Sequence, residues 1–154
     1  EQMYGDKGEV PEEEYLIPIG LADIKKHGSD VTIVSFGKIL KVAMNAAIEL
    51  EKEGVSVELV DLRTVRPIDY DTVINSVKKT NRLVIVEEAW PLASISTEIT
   101  YKVQKDAFDF LDAPIIRITT ADTPLPYANS LIEASLPSVA KIIKAVKEVM
   151  YVSK

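Results

Sequence analysis

Apolar positions along the chain switch between two periods, and each switch marks an element. Residues 31–35, 55–62 and 83–86 are short apolar runs of strand length. Between the first two, Leu40, Ala43, Ala47 and Leu50 recur at helical spacing, and Gly54 stands where a helix closes. After the break at Arg66-Pro67, Asp69 is placed to cap a second helix carrying Val73, Ile74 and Val77. The spacing predicts a third helix over 92–105, and Pro114 leads into an apolar strand over 115–118. Pro137 opens a last helix, with Val139, Ile142, Ile143, Val146, Val149 and Met150 on one stripe and Lys141, Lys144 and Lys147 on the other. Ahead of all these, residues 16–24 read as an extended segment, ended by the turn cluster His27-Gly28-Ser29-Asp30.

Strands alternating with helices imply an α/β fold, a mainly parallel sheet covered on both faces. The run at 83–86 is wholly apolar, as a strand buried on both faces should be. The connection between 16–24 and 31–35 is too short for a crossover helix, so the first segment is expected to run antiparallel.

Composition narrows the function classes. The chain has 154 residues, enough for one domain with a sizeable core. Its net charge of −6 is mostly local: residues 1–14 hold six acids and one lysine, alongside Gly5, Gly8 and Pro11. Residues 1–14 read as a linker from an upstream domain, with 15–154 as the folded domain; a start at Glu1 without methionine suggests a fragment. No basic face supports nucleic-acid binding, and no apolar run approaches the roughly 20 residues that span a bilayer. Cysteine is absent, which removes disulfides, thiolate catalysis and cysteine-rich zinc sites.

Candidate chemistry is sparse. His27, the only histidine, has no serine or acid placed to make a nucleophile–base pair and reads as a solvated turn residue. Ser35-Phe-Gly-Lys38 follows a strand and opens a helix, where free N–H groups can hold an anion. No G-x-x-x-x-G-K or G-x-G-x-x-G accompanies it, which favours a cap serving its own helix. Arg63 and Arg66 can clamp a carboxylate or phosphate, but local pairs with Asp61, Asp69 or Asp71 are the stronger expectation. Glu87 and Glu88 are adjacent at a strand end and should face opposite ways, which argues against a cooperating acid–base pair and for a backbone or subunit contact. Trp90-Pro91 in the following loop is a candidate for an interface.

The segment 108–128 concentrates acids and prolines. Asp109, Asp112 and Asp122 face a single Arg117, and Pro124 and Pro126 forbid a helix and hold an extended path. An acidic, proline-stiffened loop at a strand's carboxyl end suits a docking site for a basic partner. Within it, Phe-Leu-Asp-Ala-Pro114 is followed by Thr119-Thr-Ala-Asp-Thr-Pro-Leu-Pro-Tyr-Ala128. Together with Asp61-Leu-Arg-Thr-Val-Arg-Pro-Ile-Asp69 and Val86-Glu-Glu-Ala-Trp-Pro91, these motifs resemble the carboxyl-terminal domain of the beta subunit of pyruvate dehydrogenase. The resemblance spans residues 14–149. Arg-x-x-Arg-Pro alone marks only a transketolase-like chain, and Pro-Leu-Pro-Tyr favours the pyruvate enzyme over branched-chain relatives.

The resemblance implies a three-layer α/β/α domain with five strands, one of them antiparallel. It implies an enzyme that decarboxylates pyruvate on thiamine diphosphate and Mg2+ and passes the acetyl unit to a lipoyl group. The catalytic residues and cofactor contacts would lie in an upstream domain and in the alpha subunit, so this domain would bind no cofactor and would serve assembly. Asp112 carries over as a contact for the peripheral subunit-binding domain of the dihydrolipoyl acyltransferase, with Asp122 and Tyr127 as further docking candidates. Trp90, Pro91, Leu92, Glu88 and Arg66 are the expected subunit interface with the alpha subunit and a second beta subunit, and the isolated chain is expected to form a homodimer. The compartment implied is the bacterial cytoplasm or the mitochondrial matrix. The loop over 89–96 departs from its relatives, with Ala89, Ser94 and Ser96 where glycines are usual. Tyr151-Val-Ser-Lys154 matches no pattern of the family. The rivals are a branched-chain 2-oxo acid dehydrogenase, deoxyxylulose phosphate synthase, and a free-standing flavodoxin-like module. A phosphate-accepting receiver would need an acidic pair where this chain has Ser35-Phe36.

Overall fold

A computed structural model of the chain describes Gly5 and residues 7–151. Five strands form one sheet in the order β1-β3-β2-β4-β5: β1 (Asp23–Lys26), β2 (Val31–Ser35), β3 (Val57–Asp61), β4 (Leu83–Val86) and β5 (Ile116–Ile118). β2, β3, β4 and β5 are parallel and β1 runs antiparallel against β3. The helices are α1 (Leu40–Lys52), α2 (Tyr70–Thr80), α3 (Ile95–Ala107), α4 (Asn129–Ser135) and α5 (Val139–Val149).

The two-residue period of the strands sorts the core into two layers. Val31, Ile33, Val57, Leu59, Val84 and Val86 face α1 and α5, and meet Ala43, Ala47, Leu50, Ile142 and Val146. Val34, Val60, Leu83 and Ile85 face α2 and α3, and meet Val73, Val77, Ile99 and Val103. This is the expected three-layer α/β/α domain with a mostly parallel five-stranded sheet and one antiparallel strand.

The edge departs from expectation. The extended segment over 16–24 shortens to the polar strand Asp23–Lys26, and residues 15–21 form no strand and leave Leu16, Ile17, Ile19 and Leu21 exposed. β1 also pairs with β3 rather than with its sequence neighbour β2. Gly28 explains how the chain makes that passage: a Cβ there would lie 2.1 Å from the carbonyl carbon of Val57, so only glycine fits against β3. Part of the linker expected over 1–14 lies outside the described residues, as do residues 152–154 of the tail; residues 7–14 carry no helix or strand. α4 was not foreseen. The extended path holds through Pro124 and Pro126, and the short helix follows it, burying no side chain.

Candidate functional site

In open α/β sheets, ligands enter at the carboxyl ends of the strands where the crossover order reverses. Here that point lies between β2 and β4, because α1 carries the chain to β3 on one side and α2 returns it to β4 on the other. The polar groups there bind one another. Ser35 donates its hydroxyl to the Val86 carbonyl at 3.0 Å, and Lys38 pairs with Glu88 at 2.9 Å. Ser35 therefore ties β2 to β4 and does not cap its helix. A 3-10 turn over Gly37–Ile39, preceded by Phe36, leads into α1, and neither the turn nor the helix has a side-chain cap bond at its start.

Arg63 answers to Asp23 of β1 at 2.7 Å rather than to the carboxylates expected for it; only its backbone N–H reaches Asp61, at 3.0 Å. Lys25 and Arg63 together hold the Asp23 carboxyl below its ordinary value, the Lys25 hydrogen bond foremost. Asp69 is occupied as a helix cap, accepting from the Thr72 N–H at 3.0 Å and also from the Ala22 N–H at 2.9 Å. Arg66 is exposed in the β3–α2 loop, with no ion pair or hydrogen bond among the described residues. His27 is exposed, its Nδ1 3.9 Å from Glu58, in keeping with a turn residue.

The loop after β4 is built differently from its neighbours. Trp90 is 60% exposed and Leu92 84%, while Glu87 just before them is fully buried. Glu87 accepts from the backbone N–H of Ser96 at 3.1 Å and from its hydroxyl, so it holds a backbone as the sequence suggested; Glu88 turns outward to Lys38. Ala93 sits at φ +54, a left-handed conformation that favours glycine. The Trp90 loop borders a cleft of about 250 Å3, closed on its other side by Thr120, Thr123, Leu125 and Leu136. The β5–α4 loop thus faces the Trp90 loop, and the same stretch carries exposed Asp122 and fully exposed Tyr127.

Asp112 lies elsewhere. The acidic segment is not one loop, since β5 divides it: Asp109 and Asp112 precede the strand at the amino end of the sheet, and Asp122 follows it at the carboxyl end. The Asp112 N–H donates to the Asn81 carbonyl at 2.9 Å, and its own carbonyl accepts from the Tyr151 hydroxyl at 3.0 Å. Among the described residues its exposed side chain meets only Arg82, at 3.4 Å. The docking candidates are therefore split: Asp122 and Tyr127 belong to the loop that faces the Trp90 loop at the carboxyl end, and Asp112 lies across the sheet. Arg117, Ser96 and Thr120 are contacts of the Trp90 loop to which the sequence assigned no such role. The one signal was Arg117, a lone base among acids.

No group of three or more metal-ligating side chains occurs among the described residues, and no described helix is long and apolar enough to cross a membrane. The family model "Transketolase, C-terminal domain" matches residues 20–142. The chain is 51% identical over 152 residues to the pyruvate dehydrogenase E1 component subunit beta of Rhizobium meliloti (strain 1021), covering 98% of this chain and 33% of that one. It is 50% identical over 138 residues to the mitochondrial pyruvate dehydrogenase E1 component subunit beta of Dictyostelium discoideum, covering 90% and 39%. It is 45% identical over 147 residues to the beta subunit of the acetoin:2,6-dichlorophenolindophenol oxidoreductase of Bacillus subtilis (strain 168), covering 96% and 43%. The chain thus spans between a third and a half of the length of these relatives. A split-gene transketolase, solved as an inactive beta4 tetramer, shares the fold with a TM-score of 0.78 at 23% identity, covering 96% of this chain and 47% of that one. With sheet order, core layers and matched residues in agreement, the chain belongs to the transketolase C-terminal domain family.

Proposed function

We propose that this chain is the assembly domain of the beta subunit of a thiamine-diphosphate-dependent pyruvate dehydrogenase, with residues 1–14 linking it to the half that binds the cofactor. The carrying observation is the Trp90–Leu92 loop, which presents two large apolar side chains to solvent beside a cleft at the carboxyl end of the sheet. Exposed apolar surface of this kind marks a protein interface. In this reading the loop packs on the alpha subunit or a second beta subunit, with Pro91, Glu88 and Arg66 at its rim. Asp112 serves docking to the subunit-binding domain of the acyltransferase, while Asp122 and Tyr127, which stand with the Trp90 loop at the other end of the sheet, fall to the subunit interface. The bacterial and mitochondrial relatives support a location in the bacterial cytoplasm or the mitochondrial matrix.

The residues at the sheet's carboxyl end do not fit thiamine diphosphate and Mg2+. Lys38 and Glu88 neutralise each other across the strand-order reversal, and Ser35 and Glu87 are bonded internally. No reaction step is assigned to this chain. Its contribution is to bring together the surfaces between which the chemistry occurs.

Sedimentation equilibrium of the wild type and of Trp90→Ala tests the interface. The wild type should self-associate, and the substitution should weaken association by roughly 2 kcal/mol, as loss of a buried aromatic anchor does. A strict monomer at high concentration overturns the reading. Titrating thiamine diphosphate with Mg2+ into the chain should show no micromolar binding. Reconstitution with an alpha subunit and the cofactor-binding half should turn over pyruvate in preference to branched-chain 2-oxo acids; a preference for acetoin would move the assignment to the other relative.

A further inference from the structure

A buried carboxylate is costly unless hydrogen bonds or charge compensate it. Glu87 is fully buried at the end of β4, and both its oxygens accept from Ser96, in the first turn of α3. Negative charge is favoured there by the free N–H groups and the helix dipole. Ser94, the N-cap residue of α3, makes no side-chain cap bond, so Glu87 supplies one from a different element. Arg117 on β5 adds positive charge one step away: its Nη1 donates to the Ser96 hydroxyl at 3.2 Å and to the Pro91 carbonyl at 3.0 Å. Thr120 closes a third tie, its N–H and hydroxyl each donating to the Ala89 carbonyl at 3.0 Å.

These bonds fall on either side of Trp90 and at the far end of its loop. We infer that Arg117, acting through Ser96 and Glu87, is a positioning residue that holds the Trp90–Leu92 loop in the shape a neighbouring subunit recognises. The inference rests on the reading of that loop as an interface. An exposed apolar loop gains nothing from its own packing, and three anchors drawn from β4, β5 and the β5–α4 connection fix its backbone before any partner arrives. Ordering it in advance lowers the entropic cost of association. Arg117 suits the task because one guanidinium spans a loop carbonyl and the buried hydroxyl–carboxylate pair. Ala93, held in a glycine-like conformation, is the one point where the loop's own sequence resists that shape.

Trp90 is the only tryptophan, so its fluorescence reports on this loop without a label. Arg117→Met, Arg117→Lys and Trp90→Ala are compared by sedimentation and thermal melting, with time-resolved Trp90 anisotropy of the Arg117 variants measured under dilute, monomeric conditions. Arg117→Met should weaken association by about tenfold, a modest loss for a residue outside the contact itself, and should add fast local motion at Trp90. Arg117→Lys should restore part of both. Should Arg117→Met fail to fold, Thr120→Val and Ser96→Ala remove single ties and should show the same two effects in smaller measure. Failure of Trp90→Ala to alter association would overturn the interface reading on its own. Weakened association in Trp90→Ala, with anisotropy and affinity unchanged in the Arg117, Thr120 and Ser96 variants, would overturn the inference and leave the interface standing.

Discussion

Glu58 shows how one side chain ties the edge of the sheet together. It is almost wholly buried on β3 and accepts from the Gly28 N–H at 3.1 Å, from the Ser76 hydroxyl at 3.0 Å and from Lys79. Burial alone would raise its pKa; the bonds to Lys79, Gly28 and Ser76 outweigh that and hold it below the ordinary glutamate value of 4.5. A carboxyl depressed in the folded state stabilises the protein above the unfolded pKa and loses that contribution as pH falls through the folded one. Glu58→Gln should therefore cost about 1–3 kcal/mol at neutral pH, as loss of hydrogen bonds to a charged group does. The gap to wild type should narrow below pH 4.5. Urea denaturation at pH 7 and pH 3 checks this, and an equal gap at both would remove Glu58 from the acid response. Asp112 offers the opposite case. Its backbone makes the structural bonds and its carboxylate meets only Arg82 among the described residues, so Asp112→Asn should change stability by less than about 1 kcal/mol. On the docking reading, the same variant should weaken acyltransferase binding by roughly 1–3 kcal/mol, chiefly through faster dissociation. A lowered melting temperature with intact affinity would make Asp112 a local prop instead.

Elements were legible where pattern and packing agree. α2 is an example: Asp69 was placed as its cap from sequence, and in the fold it accepts from the Thr72 N–H and hydroxyl at 3.0 and 2.7 Å. It also accepts from Ala22, joining the helix start to the chain entering β1. Burial opposes its charge, but the Thr72 and Ala22 bonds prevail and keep its carboxyl below the ordinary value. Asp69→Ala should cost about 1–2 kcal/mol by denaturant titration, at the upper end for a cap because a second N–H loses its acceptor; a loss within error would show that water replaces it. β1 was less legible. The extended segment read over 16–24 looks like a strand, whereas the residues that pair are Asp23–Lys26, whose three charged side chains suit an edge. α4 carries neither a side-chain cap bond nor a buried residue, so no periodic signal announces it. The Trp90 loop could be found because an aromatic beside a proline stands out. Its anchors could not: Arg117 lies 26 residues from Pro91 and Thr120 31 residues from Ala89, and only the pairing of β4 with β5 brings them together.

At the scale of the molecule, the sheet separates two surfaces. Trp90, Leu92, Leu125 and Tyr127 lie at its carboxyl end, and Asp112 with Asn81 and Arg82 at its amino end. Sites that share no partner residue and sit on opposite sides of a rigid layer behave independently, so their free energies should add. On the proposed reading, Trp90→Ala in the reconstituted enzyme should alter subunit assembly and Asp112→Asn acyltransferase capture, and the double variant should equal their sum within about 0.5 kcal/mol. A larger coupling, read from a double-mutant cycle, would mean that the layer transmits strain between its ends. Independence has a consequence for how such a complex grows. A domain whose two ends do not compete can be recruited to a core either before or after its own subunits join, so the order of assembly would be set by concentration rather than by the fold.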